Sequence, residues 1–450
     1  MKTVSRIAAL ATAVVLAFVP YTASAADAPP SAATVFTRAY DTTTKNVTLT
    51  FDADWWSPGN PEEVLRILRD NAVTAAFSLT GRYVEKYPDQ TRTLLSAGHK
   101  LINHSYDHPY FTQLSRADRW AELDRAEAAF NRLGYTSAGW FRAPYRDGYL
   151  DAGVNADLAA RGYYLNYDWT FDTTGYEGAS LDTILSRVRQ YTVPGATIVM
   201  HLSNDSTDTA ALPSIISTLR GMGYGFNDPY RSVTKGLIGA KYAALGAQSC
   251  ALGVPRSGEM VATTAGTSAV QWFDGGRVYW RNDIGAFEVH GAIAGTYIGL
   301  GSVTSFLGYP RTDETGTPDG IGRYNHFQGG SIYWSPASGS HTVYGAIRDR
   351  WSTLGWERGF LGYPVSDEVG VTGGRASQFQ GGNIYWSAAT AAHEVHGAIL
   401  GRYLQLGGTG STLGLPTGDE YSVDGGRRSD FAHGAILWNA STGALTVLSD

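Results

Sequence analysis

Between about Lys45 and Asn227, short β-branched and aromatic runs alternate with stretches whose apolar residues recur at helical spacing. Val47–Phe51, Thr74–Leu79, Lys100–Asn103, Trp140–Arg142, Tyr164–Asp168 and Thr197–His201 read as strands. Pro61–Arg69, Arg116–Leu133, Leu181–Gln190 and Ala210–Met222 read as helices. Strand–helix alternation predicts an α/β fold with a parallel sheet, open or closed into a barrel. About 190 residues is short for eight βα units and sufficient for an incomplete (β/α) barrel. Functional groups in such folds gather at the carboxyl ends of the strands.

After Lys235 the pattern changes to a repeat. Leu-Gly-x-Pro occurs at Leu252–Pro255, Leu307–Pro310, Leu361–Pro364 and Leu413–Pro416. Each is followed by an aromatic strand signal, at Phe273–Trp280, Phe327–Trp334, Phe379–Trp386 and the worn Phe431–Trp438. His290-Gly-Ala-Ile293, Tyr344-Gly-Ala-Ile347 and His396-Gly-Ala-Ile399 then open short helices. Four copies at a period of about fifty residues predict a β-rich array whose units bury their apolar faces against one another, and a propeller-like closure is the expectation. Tyr279, Trp280, Tyr333, Trp334, Tyr385 and Trp386 are expected to be core more than ligand contacts.

Composition narrows the function. The chain has 450 residues, 43% hydrophobic and 17% charged, which excludes a disordered polymer. A net charge of −6 argues against a nucleic-acid binder. One cysteine, Cys250, excludes an internal disulfide framework and a thiolate zinc site. Met1–Ala25 carries Lys2 and Arg6, an apolar run from Ile7 to Val19, and then Ala23-Ser24-Ala25. This reads as a secretory signal peptide, too short in its apolar part for a spanning helix. Residues 26–44 read as a linker, 45–230 as the first domain and 235–450 as the repeats. Export to the cell envelope, with no transmembrane segment, is the expectation.

The first domain holds four histidines: His99, His104, His108 and His201. His104 and His108 stand four apart, on one face if their segment is helical, and imidazoles at that spacing can chelate a divalent metal. Position strengthens the signal, because the pair follows the strand Lys100–Asn103. Asp52 and Asp54 follow Val47–Phe51, Arg142 ends Trp140–Arg142, Asp168 ends Tyr164–Asp168, and His201 ends Thr197–His201. Five strands thus deliver Asp, His, Arg, Asp and His to one rim. Trp55, Trp56, Tyr106, Tyr110, Tyr145, Trp169 and Tyr176 lie around it, and aromatic faces suit sugar rings.

The ordered set Thr50-Phe-Asp52, His104-Ser-Tyr-Asp-His108, Arg142-Ala-Pro-Tyr145, Asp168-Trp169 and the apolar run into His201 resembles the polysaccharide deacetylases of the NodB homology family, carbohydrate esterase family 4. The resemblance spans about residues 40–230. It implies an incomplete barrel of the NodB type and a divalent metal, most often zinc, held by His104 and His108, acting as Lewis acid and nucleophile source. It implies Asp52 as general base, Arg142 orienting it, and the Tyr145 backbone N–H as an oxyanion donor. It also implies His201 as the acid that protonates the leaving amine, Asp168 as its supporting carboxylate, and Met200 lining the acetyl pocket. Trp56 and Trp169 are candidate sugar contacts. Two departures stand out. The family has consecutive aspartates, the second a metal ligand, where this chain has Ala53; Asp54 is the substitute, since residues 52 and 54 share a side in an extended chain, with a weaker or water-completed site as the alternative. Asp172 also lies close enough to compete with Asp168.

The Leu-Gly-x-Pro units resemble the LGFP repeats of exported actinobacterial envelope proteins, which implies docking onto cell-wall polysaccharide. The combined expectation is a secreted hydrolase that removes acetyl groups from N-acetylated sugars of peptidoglycan or a chitin-like polymer. An O-acetyl esterase on xylan or another polysaccharide, and a non-catalytic wall-binding protein, are the alternatives.

Overall fold

The computed structural model describes residues 28–263 and 267–449. The signal peptide expected over 1–25 lies outside the described residues. Strands β1 (Thr34–Phe36), β2 (Asn46–Ala53), β3 (Ala76–Leu79), β4 (Lys100–Asn103), β5 (Trp140–Phe141), β6 (Leu165–Tyr167), β7 (Phe171–Asp172), β8 (Thr197–His201) and β9 (Gly225–Phe226) form one sheet. Its order is β1-β6-β5-β4-β3-β2-β8-β7, with β9 paired to the start of β2. Every pairing is parallel. This is the incomplete barrel of the NodB type.

Local chemistry sets the helices. In α1 (Pro61–Asp70), Pro61 takes a first-turn position and Asn60 accepts the Glu63 N–H. Ser115 caps α4 (Arg116–Arg132), and Ser180 caps α6 (Leu181–Tyr191), in the same way. The outer core packs Val47, Leu49, Phe51 and Phe77 against Val64, Leu68, Ile184 and, from α7 (Asp208–Gly221), Leu212 and Ile215.

Two boundaries differ from the sequence reading. The described part of the expected linker, residues 28–44, is anchored to the first domain: Thr34–Phe36 pairs with Leu165–Tyr167 and the Ala39 N–H donates to Gly195 O at 2.8 Å. The repeat region is not separate from the first domain either. Phe36, Ala76, Ile102, Trp140, Leu165 and Tyr167 pack with Val233 and Val254 in one apolar cluster. Trp140 Nε1–H donates to Pro255 O at 2.9 Å, and Tyr164 meets Trp272 edge-on at 5.8 Å. The first Leu-Gly-x-Pro loop therefore closes the end of the half-barrel at which the strands begin.

The repeats are four antiparallel sheets of four strands each. Leu252, Leu307, Leu361 and Leu413 are buried, and each motif proline bridges the phenylalanine of its own unit, as in Pro310 with Phe327. The motif glycine is required at Gly308, where φ is +64° and a β-carbon would lie 2.8 Å from the Gln328 side chain. The helix of each unit also holds the motif: Tyr242, Tyr297, Trp351 and Tyr403 donate to the carbonyls of Gly253, Gly308, Gly362 and Gly414. Tyr279, Tyr333 and Tyr385 are core, and Trp280, Trp334 and Trp386 are half-buried. Successive units share cores, with Phe327 packing among Val289 and Tyr297, and Phe379 among Val343 and Trp351. Among the described residues no such cluster joins the fourth sheet to the first.

Two joints carry titratable groups. His290 lies against Glu288 (2.7 Å) and Glu314 (3.2 Å), with Arg323 beside Glu314. His396 lies against Glu394 (2.7 Å) and Glu420 (3.4 Å), with Arg427 beside Glu420. For His396 the Glu394 hydrogen bond is the main cause of a raised pKa; for His290 burial opposes the rise and the two glutamates overcome it.

Two outcomes are expected. A chain ended at residue 250 loses Val254, Pro255 and Trp272 and should melt below one ended at residue 305, which keeps the first unit; equal melting of the first domain in both would remove the closing role of that unit. A histidine whose pKa rises on folding contributes stability that is complete below its unfolded value of about 6.5 and lost as pH climbs through the folded value. Melting should therefore be higher at about pH 6 than at about pH 8.5, and the difference should shrink when His290 and His396 are both replaced by Gln.

Candidate active site

The carboxyl ends of β2, β7 and β8, with the loops after β4 and β5, enclose an open cavity of about 520 Å³. Asp52, Asp54, Trp56, His104, His108, Tyr145, Trp169, Asp172 and His201 all line it. A larger groove, about 680 Å³, runs between Arg161 and Tyr164 on one side and Arg256 and Trp272 on the other, and no histidine lines it.

Arg142 is fully buried just past β5. It donates from Nη1 to Asp52 Oδ1 at 2.5 Å and to Thr50 Oγ1 at 3.0 Å, and from Nε to Tyr167 O at 2.8 Å. Burial acts to raise the Asp52 pKa, but the Arg142 guanidinium beside it overcomes this and holds the carboxylate ionised. The other Asp52 oxygen lies 3.6 Å from His104 Nε2.

The histidine pair is not helical. Ser105 and His108 both take left-handed backbone angles, φ +67° and +61°. The turn is held by Asn103 Oδ1 accepting the Ser105 N–H and by Ser105 Oγ accepting the His108 N–H. Glu122 accepts the N–H groups of Tyr106 and Asp107. The loop brings His104 Nε2 and His108 Nε2 to 3.1 Å. His104 Nδ1–H donates to the Arg142 carbonyl at 3.0 Å, which leaves Nε2 as the bare nitrogen. Burial lowers both imidazole pKa values, that of His108 to about 3, so both are neutral at pH 7.

Neutral imidazoles with converging nitrogens fit a divalent cation. Among the described residues no group of three His, Cys, Asp or Glu side chains closes around one. Asp54 lies just past β2, lines the same cavity and accepts the Trp56 N–H at 3.1 Å. Burial raises its pKa, while His104 and His201 act to lower it.

Two expected residues are placed elsewhere. Asp168 is not beside His201. Its N–H is held by Phe36 O on β1, and its carboxylate accepts from Arg146 Nε at 2.7 Å. Asp172, on the strand paired directly with β8, lines the same cavity as His201. Met200 does not reach the cavity, because strand alternation sends it into the core with Phe51 while His201 faces the site; Leu202 lines the cavity in its place. The His201 ring lies against Tyr176 at 4.5 Å. Tyr145 takes a left-handed conformation (φ +56°), and its ring, 56% exposed, stacks on Tyr110 at 4.3 Å. Trp56, 72% exposed, stacks on Trp55. Arg146 lies over the Trp169 ring at 5.3 Å and joins Asp168 in fixing that residue, a pairing that sequence reasoning missed.

One cavity of the half-barrel thus gathers paired imidazoles, an Arg-held aspartate and a third histidine. The polysaccharide deacetylase family model matches residues 39–165, and the LGFP repeat model matches 252–305, 307–359, 361–411 and 413–450. A peptidoglycan-N-acetylglucosamine deacetylase of Bacillus cereus is 29% identical over 185 residues, 40% of this chain and 65% of that protein. A chitin deacetylase of Colletotrichum lindemuthianum is 30% identical over 187 residues, 39% of this chain and 72% of that protein. Among solved structures, a family 4 carbohydrate esterase from Streptomyces lividans in complex with acetate is 32% identical, with a TM-score of 0.36, covering 41% of this chain and 92% of that one. The chain belongs to the polysaccharide deacetylase family, and its second half consists of LGFP repeats.

Arg142→Met leaves the Asp52 carboxylate buried without its counter-charge and should cost about 3–5 kcal/mol in denaturant unfolding at neutral pH. Adding Asp52→Asn should recover part of the loss. An additive double variant would show that the two side chains do not act as a pair.

Proposed function

We propose that this protein is a secreted, divalent-metal-dependent deacetylase acting on N-acetylated sugars of peptidoglycan or a chitin-like polymer, held at the cell envelope by its repeats. The observation that carries this reading is the convergence of the neutral His104 and His108 nitrogens beside the Asp52–Arg142 pair, with His201 lining the same cavity. The polymer classes are those in the names of the Bacillus cereus and Colletotrichum relatives.

His104 and His108, with Asp54 as the third donor, would hold the cation, which when bound supplies Lewis acidity toward the acetyl oxygen and toward water. Asp52, kept ionised by Arg142, takes the proton from the attacking water. The Tyr145 N–H supports the negative charge that develops on the acetyl oxygen. His201 delivers a proton to the departing nitrogen as the C–N bond breaks, because an amine anion is too basic to leave. Asp172, at the end of the strand paired with β8, lines the same cavity as His201. Trp56, Tyr145 and Trp169 offer faces for sugar rings. Asp168 acts through Arg146 on Trp169 rather than on His201.

A wall-binding protein with a decayed site is favoured by one observation, Ala53 where a ligand is expected. Acetate release separates the readings. The protein should release acetate from N-acetylglucosamine oligomers and peptidoglycan, lose this with a chelator and regain it with zinc. No release with any divalent cation would leave the wall-binding reading, and release from acetylxylan alone would make it an O-acetyl esterase. His104→Ala should abolish zinc binding in calorimetry, and unchanged affinity would sink the metal assignment. Asp54→Ala should weaken zinc binding if Asp54 is the third donor.

A further inference from the structure

Asp208 opens α7, yet its carboxylate does not serve that helix. The side chain is fully buried. Oδ2 accepts the backbone N–H of His201 at 2.8 Å and the Ser206 hydroxyl at 3.0 Å. Oδ1 accepts the Thr173 hydroxyl at 2.6 Å. Thr173 is itself buried and follows Asp172, and its N–H donates to Val199 O on β8. One carboxylate therefore ties the loop leaving β8, which carries His201, to the loop leaving β7, which carries Asp172 and Tyr176. The neighbouring bonds reinforce the tie: the Thr207 N–H donates to Gly175 O, and its hydroxyl donates to Ala179 O at 2.8 Å. Gly175 is obligatory here, since a β-carbon on it would overlap the Asp208 carboxylate.

This arrangement solves a problem specific to the acid half of the site. His201 Nδ1 is buried and makes no hydrogen bond within the protein, so the imidazole is not oriented through that nitrogen. The ring is placed by its backbone and by the Tyr176 face. Both are fixed by the two loops that Asp208 joins.

We propose that Asp208 is the positioning residue for His201: by bridging the His201 N–H and the Thr173 hydroxyl, it sets the imidazole against the Tyr176 face and toward the departing nitrogen. The proposal rests on the deacetylase reading above and concerns only the protonation half of the reaction. It predicts a chemically selective defect. Amide cleavage needs a proton on the leaving amine, whereas 4-nitrophenolate leaves without one.

The test measures turnover of an N-acetylglucosamine tetramer and of 4-nitrophenyl acetate by the full, zinc-supplied chain and its variants. For Asp208→Ala the amide-to-ester ratio of kcat should fall about 30- to 100-fold with KM for the tetramer little changed, less than the roughly 100- to 10,000-fold a general acid contributes in full, because the imidazole is displaced and not removed. Asp208→Asn keeps the shape and one acceptor oxygen and should restore part of the ratio. Thr173→Val removes the Oδ1 bond together with the longer hydroxyl contact to Val199 O at 3.2 Å, leaves the His201 N–H bond to Asp208 in place, and should lower the ratio in the same direction by less, which carries the test if Asp208→Ala does not fold. Equal loss on both substrates, or a ratio unchanged in every folded variant, overturns the positioning role. A parent chain inactive on the tetramer overturns the functional reading, and this inference with it.

Discussion

Everything at the carboxyl rim of the barrel depends on one buried guanidinium. Arg142 reaches Asp52 and Thr50 on β2 and Tyr167 O on β6, strands separated in the sheet by β3, β4 and β5. Such a span requires the sheet to curve, so the side chain that keeps the base ionised also reports the closure of the half-barrel. Its main chain does a second task, since the Arg142 carbonyl accepts from His104 Nδ1 and thereby fixes which imidazole nitrogen is free. Asp52, the proposed base, and His104, a proposed metal ligand, are thus both held by a single residue.

The acid half is built differently. His201 has no buried charge pair comparable with Asp52–Arg142. It is held through backbone and loops, with the Tyr176 ring against it and Asp208 linking the two chain segments. The contrast follows from chemistry. A base that must stay charged in a buried place needs a fixed counter-charge, whereas an acid that gives up its proton each cycle must exist in both protonation states.

Much of this was legible in the sequence, and the failures share a cause. Asp52, His104, His108, Arg142 and His201 could be placed because each ends a strand, or follows one closely, and strand ends are readable from apolar runs. The repeats were legible from period alone. Asp168 was chosen over Asp172 because the run Tyr164–Asp168 is longer than the two-residue β7, which has no periodicity to detect. Met200, assigned to the acetyl pocket by the family resemblance, is in the core because alternation along β8 sends it and His201 to opposite faces. Thr34–Phe36 looked like linker because three residues on a sheet edge carry no pattern. The metal-binding loop looked helical by spacing, but its geometry comes from left-handed turns at Ser105 and His108 that spacing does not encode.

The join between the halves bears on how the molecule would work on a polymer. Trp140 and Val254 meet where the barrel strands begin, whereas Asp52, His104 and His201 stand where strands end or just beyond them. The first repeat and the cavity are therefore at opposite ends of the sheet. A flexible tether would let the cavity sample any orientation; a shared apolar cluster with a buried tryptophan hydrogen bond does not. If the repeats dock on wall polymer, the cavity is held facing away from the contact made by the first unit, toward strands beside the docked one. The aromatic faces of Trp56 and Tyr145 are exposed at that cavity, at the end of the sheet away from the first unit.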